Sequence, residues 1–83
     1  MEKKVCLITG GTSGIGKYTA LAMRSAGYAV FEISRRAEGI DGIFHISADI
    51  TDESAVQQAV SAVLSQAGHI DVLINNAGFG ISG

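Results

Sequence analysis

The stretch Thr9-Gly10-Gly11-Thr12-Ser13-Gly14-Ile15-Gly16 carries residue types suited to holding an anion. Its glycines admit positive φ and let another group approach the backbone closely. The run before it, Val5-Cys6-Leu7-Ile8, is apolar and reads as a buried parallel strand. The residues after it, 17–26, are rich in Ala, Leu and Met and read as a helix closed by Gly27. The glycines therefore sit at a strand-to-helix turn. There the first free N–H groups of the helix and the positive end of its dipole favour a phosphate or pyrophosphate. The hydroxyls of Thr12 and Ser13 could add donors. The alternative is a glycine-rich loop that merely turns the chain, since such motifs also occur without a ligand.

Spacing narrows the choice. A G-x-G-x-x-G pattern starting at Gly14 and Gly16 would need its third glycine where Thr19 stands. A Walker loop fails because Gly16-Lys17 is followed by Tyr18. The pattern that remains, T-G-x-x-x-G-x-G with Thr9, Gly10, Gly14 and Gly16, resembles the main branch of the short-chain dehydrogenase/reductase family. The family's extended branch spaces its glycines differently, and Ser13 stands where that branch has its middle glycine. A second motif, Asn75-Asn76-Ala77-Gly78, ends the last predicted strand and resembles the same family's N-N-A-G segment.

The elements that must position these motifs can be read along the chain. Strands are predicted over 4–9, 29–34, 43–47 and 70–75, and helices over 15–26 and 52–67. In the first helix Ile15, Leu21, Ala22 and Ala26 are expected to face the sheet, with Lys17 and Arg24 outside. Glu32, inside the second strand, is expected at a helix end or in solvent, and His45 is read as a strand residue near an edge. Residues 37–42 are too few for a crossover helix and too rich in loop formers, so a turn is expected. Thr51 is the expected N-cap of the second helix, with Asp52 and Glu53 in its first turn. That helix carries a stripe of Ala55, Val56, Ala59, Val60, Val63, Leu64 and Ala67, and Gly68 stops it. The right-handed crossover rule puts the two helices on opposite faces. The fold class is α/β, a partial Rossmann-like parallel sheet of order 3-2-1-4.

The resemblance implies an NAD(P)-dependent oxidoreductase that moves a hydride between the dinucleotide and a carbonyl or alcohol. It implies cofactor contacts from Gly10, Thr12, Ser13, Gly14, Ile15 and Gly16 at the glycine turn. It implies a ribose-reading segment at Ser34, Arg35 and Arg36, an adenine contact at Asp49 and Ile50, and a ribose-lining segment at Asn76, Ala77 and Gly78. NAD-selective relatives carry an acid where Ser34 stands. Arg35 suits a 2′-phosphate, so NADP is expected over NAD. The family's catalytic Ser and Tyr-x-x-x-Lys pair have no counterpart: Tyr18 is followed four residues on by Ala22 and Tyr28 by Glu32. The chain is thus expected to be the cofactor-binding front of such an enzyme, a single domain part over 1–83, inactive alone. The alternative is a non-catalytic dinucleotide-binding or interaction module. The family's fifth strand is also absent, so Val72-Leu73-Ile74 is expected on an edge and self-association with it.

Composition limits other classes. The net charge of −2 gives no electrostatic case for nucleic acid or an anionic membrane surface. The single cysteine, Cys6, is expected to be a core thiol. His45 and His69 stand apart from it and from each other, so no metal site is expected. No apolar run is long enough to span a membrane, and the cytoplasm is the expected location.

Overall fold

The computed structural model describes residues 3–10, 14–37 and 39–75. Its elements run β1 (Val5–Thr9), α1 (Gly14–Ser25), β2 (Ala29–Ser34), β3 (Phe44–Ser47), α2 (Glu53–Ala67) and β4 (Val72–Asn75). The sheet is parallel throughout, in the order β3-β2-β1-β4. This is the expected order, and the expected turn over 37–42 carries no helix among its described residues.

Strand alternation sorts the core into two layers. Val5, Leu7, Phe31 and Ile33 point to one face and meet Ala59 and Val63 of α2. Cys6, Ile8 and Val30 point to the other, where Ala20 of α1 and Ile43 close over them. Cys6 is fully buried, and burial pushes its thiol up from the ordinary value. Each fully buried Leu or Ile here contributes about 1.5–3 kcal/mol through the hydrophobic effect, which a chain this short requires.

The packing of α1 differs from the expected face. Gly16 and Ala20 are its buried residues, while Ile15, Ala22 and Ala26 are exposed and Leu21 is half-buried. Ala20 packs among Cys6, Ile8 and Val30 of the sheet, and Ile15 lies off that contact. The stripe of α2 is centred as expected, on Ala59 and Val63, although Leu64 lies 44% exposed at its margin.

The start of α2 also corrects an expectation. Asp52, not Thr51, is the N-cap, accepting from the backbone N–H of Ser54 at 3.0 Å and of Ala55 at 3.3 Å. Thr51 turns back instead, its N–H and hydroxyl both donating to Asp49 Oδ1. An aspartate reaches the N2 and N3 amides and adds a negative charge to the positive helix end, which a threonine does not. Gly68 closes the helix as expected, in the left-handed region at φ 88°.

Of the two positions expected for Glu32, solvent is excluded: it is 1% exposed, on the α1 face of β2. Parallel register sets it opposite His45 of β3. Its Oε1 lies 2.5 Å from His45 Nδ1, and this partner makes the burial tolerable.

Candidate functional site

The carboxyl ends of all four strands share one edge of the sheet. Between β1 and β4 the chain order reverses, which in open α/β sheets is where a crevice for ligands forms. Most of the residues singled out in the sequence lie along this edge.

At the end of β1, Gly10 takes φ 73° and Gly14 φ 58°, so the turn uses glycine's freedom at both positions. A Cβ on Gly14 would meet open space, so its requirement is backbone conformation and not room. The Gly10 N–H donates to the Ile33 carbonyl at 2.8 Å, so Gly10 shapes the turn and knits it to β2. Ile15 is 78% exposed beside the turn, and Gly16 is buried beneath it. The expected contacts Thr12 and Ser13 lie outside the described residues.

The two helices begin differently. The first turn of α1 contains no acidic residue, whereas α2 starts with Asp52 as its cap and Glu53 in its first turn. The positive end of α2 is answered from within the chain. That of α1 is not answered by an acid of its own first turn.

At the end of β2, Ser34 is buried and its hydroxyl has no hydrogen-bond partner among the described residues. Such an orphan is uncommon in a folded chain and marks a place where a further group can bond. Arg35 and Arg36 follow, both exposed. The Ser34 carbonyl accepts from the Ala48 N–H at 2.8 Å, carrying the β2–β3 pairing one residue beyond the strands.

Asp49 lies in the turn after β3. Its Oδ1 accepts the Thr51 hydroxyl at 2.6 Å and the Thr51 N–H at 2.9 Å. These bonds, hydroxyl first, hold its carboxyl below the ordinary carboxylate value, and the positive charge of Arg35 adds to the effect. The loops after β2 and β3 thus act on each other electrostatically. Ile50 sends its side chain into the α2-side core.

The end of β4 is tied to β1, with the Thr9 hydroxyl donating to Asn75 Oδ1 at 2.8 Å. The first Asn of Asn75-Asn76-Ala77-Gly78 thus ties two strand ends together. Asn76, Ala77 and Gly78 lie outside the described residues.

Sequence reasoning missed His45. Its Nε2 lies 2.7 Å from the Arg36 carbonyl, so its ring joins buried Glu32 to the loop after β2. A cavity of about 320 Å³ lies elsewhere, at the amino ends of the strands between Lys3, Val5, Phe31, Phe44 and Gln66. It is mostly apolar and holds none of the residues above.

No helix among the described residues is long and apolar enough to cross a membrane. Residues 4–83 match the short chain dehydrogenase family. A curated relative, the 3-ketodihydrosphingosine reductase of Bacteroides thetaiotaomicron, is 43% identical over 84 residues, covering 100% of this chain and 31% of that protein. The fold matches a 3-ketoacyl-(acyl-carrier-protein) reductase from Brucella melitensis complexed with NADH at TM-score 0.79 and 36% identity, over 87% of this chain and 33% of that one. It matches ElxO with NADP bound at TM-score 0.83 and 35% identity, over 98% of this chain and 37% of that one. The chain spans about a third of the length of the curated relatives it matches.

Proposed function

The chain belongs to the short-chain dehydrogenase/reductase family of NAD(P)-dependent oxidoreductases, and we propose that it is the NADP-binding front of such an enzyme. The observation that carries this reading is the end of β2, where Ser34 Oγ, a buried hydroxyl without a partner among the described residues, precedes the exposed residue Arg35. An acid here would repel a 2′-phosphate. A hydroxyl and a permanent planar cation suit one.

In this reading Gly10, Gly14, Ile15 and Gly16, with Thr12 and Ser13, cradle the pyrophosphate at the start of α1. Ser34, Arg35 and Arg36 take the 2′-phosphate, and Asp49 accepts from the adenine amino group through Oδ2, since Oδ1 serves Thr51. Ile50 lends its backbone to the ring edge, and Asn76, Ala77 and Gly78 line the ribose. The bound nicotinamide would supply hydride chemistry toward a carbonyl or alcohol substrate. The 83 residues contain no Tyr-x-x-x-Lys pair to supply the proton. Alone they are therefore expected to bind cofactor without turning over a carbonyl. Self-association through the β4 edge belongs to the same reading, because Leu73 is 65% exposed there.

Calorimetric titration of the chain with NADP+ and NAD+ tests the cofactor assignment. The wild type is expected to prefer NADP+, and Arg35→Asp to reverse the preference with a change of about tenfold or more. Equal loss of affinity for both cofactors would show that Arg35 only shapes the loop.

A further inference from the structure

The loop between β2 and β3 is held from β3 by one side chain. His45 Nε2 meets the Arg36 carbonyl at 2.7 Å and Nδ1 meets Glu32 Oε1 at 2.5 Å. Gly39 packs on the same residue so closely that a Cβ there would overlap His45 Cβ and Cγ. Farther along, Arg24 Nε donates to the Gly42 carbonyl at 2.9 Å. The main chain after Ser34 and Arg35 is therefore gripped at Arg36 and Gly39 by His45, and again at Gly42 by α1.

Proton bookkeeping gives this grip a condition. A carbonyl can only accept, so Nε2 must carry a hydrogen to bond Arg36. A second hydrogen must lie between Nδ1 and the Glu32 carboxyl, because two bare acceptors would repel. With both in place, the ring serves both partners. When one is lost, a neutral imidazole has a single N–H for two acceptors. The buried carboxylate forms the stronger, charge-assisted bond and takes it. The Arg36 carbonyl is then released.

We propose that His45 is a positioning residue for cofactor discrimination: while it bridges Glu32 and the Arg36 carbonyl it holds the Ser34-Arg35 segment in the shape that reads a 2′-phosphate, and loss of the bridging proton loosens that shape. The proposal rests on the NADP reading above. Among the described residues, the charge acting on the ring is that of Glu32 on β2; from the loop the ring meets the Arg36 carbonyl and the Gly39 backbone. Burial alone would lower the titration of His45. The Arg36 carbonyl and the hydrogen bond and charge of Glu32 outweigh it and raise the value above the ordinary 6.5. The bridge is therefore complete below pH 6.5 and is lost as pH rises through the raised value.

The test is the ratio of NAD+ to NADP+ dissociation constants of the 83-residue chain from about pH 5.5 to 9.5, referred at each pH to the same ratio in Glu32→Leu/His45→Phe, which carries the titration of the 2′-phosphate without that of His45. In the same samples, the His45 ring ¹⁵N and Arg36 carbonyl ¹³C shifts are followed without cofactor. In the wild type, the referred preference for NADP+ is expected to fall about tenfold across the range, the size of one such bond. The Arg36 carbonyl shift should follow the His45 titration. Glu32→Gln should flatten both profiles, because its amide can donate to a bare Nδ1 and leave the Nε2 hydrogen on Arg36. The double variant Glu32→Leu/His45→Phe removes the pair without stranding a buried charge. It should show the weakened preference at every pH. A referred wild-type preference that is pH-independent, and that Arg35→Asp still reverses, would overturn the His45 proposal and leave the NADP reading standing. Absence of any NADP+ preference, with Arg35→Asp silent, would overturn both.

Discussion

The two outer strands, β3 and β4, meet the inner pair in opposite ways. β3 is fixed through its middle: Glu32 and His45 pair across the register, and on the other face Phe31 and Phe44 stack with centroids 4.8 Å apart. β4 is fixed at its ends. Val5 N–H donates to Asp71 Oδ2 at 2.7 Å before the strand, and Thr9 bonds Asn75 where it finishes. Between these clamps Val72 and Ile74 pack half-buried toward α1, while Leu73 stands 65% exposed on the α2 face. Both strands leave a large apolar residue exposed, but Phe44, at 56%, is stacked on Phe31. The side-chain hydrogen bonds from β1 reach β4 only near its ends, and Leu73 between them presents a surface that a neighbouring strand or chain can cover.

Three substitutions probe this difference. The largest effect is expected from His45→Phe, which takes the imidazole away from the buried Glu32 carboxyl. It should cost about 2–3 kcal/mol in denaturant unfolding, below the 3–5 of a fully enclosed pair because His45 keeps some exposure. Wild-type stability should decline as pH rises above 6.5 through the raised His45 value, and this decline should vanish in the double variant Glu32→Leu/His45→Phe. Equal stability of wild type and His45→Phe would mean β3 does not depend on its polar pair.

Asp71→Asn comes next. The carboxylate also meets His69 Nε2 at 3.0 Å, but both side chains are 35% exposed, so solvent screens the pair. The bond from Val5 N–H carries the effect, and about 1 kcal/mol is expected by thermal unfolding. Leu73→Lys should be the mildest for the folded monomer, within about 0.5 kcal/mol as for other exposed sites. It should nevertheless shift sedimentation toward monomer. A wild-type chain that sediments as a monomer at all concentrations would show that the β4 edge recruits no second copy.

The sequence made the scaffold legible because alternation, glycine stops and the α2 stripe are local signals. The turn over 37–42 followed from them, and the strand order came with the family resemblance. The glycine turn was legible for the same reason, with Gly10 and Gly14 both in the positive-φ region that only their residue type adopts readily. What escaped was non-local. Glu32 and His45 lie 13 residues apart and look unrelated until the strands are set in parallel register. Each stands two residues before a serine that ends its strand, Ser34 or Ser47, and those serines are partners in the sheet. Aligning the strand ends would have put the carboxylate beside the imidazole. The face of α1 was misread in part because hydrophobicity marked Ile15, whereas its buried residues are the small Gly16 and Ala20.

The most direct test of the account is to map NADP+ onto the chain by amide ¹H–¹⁵N shifts. Binding at the carboxyl edge predicts the largest changes at Gly10, Gly14, Gly16, Ser34, Arg35 and Asp49, with Lys3, Phe44, Gln66 and Leu73 nearly still. Changes concentrated at the apolar cavity around Phe31, Phe44 and Gln66, with the glycine turn unmoved, would contradict it.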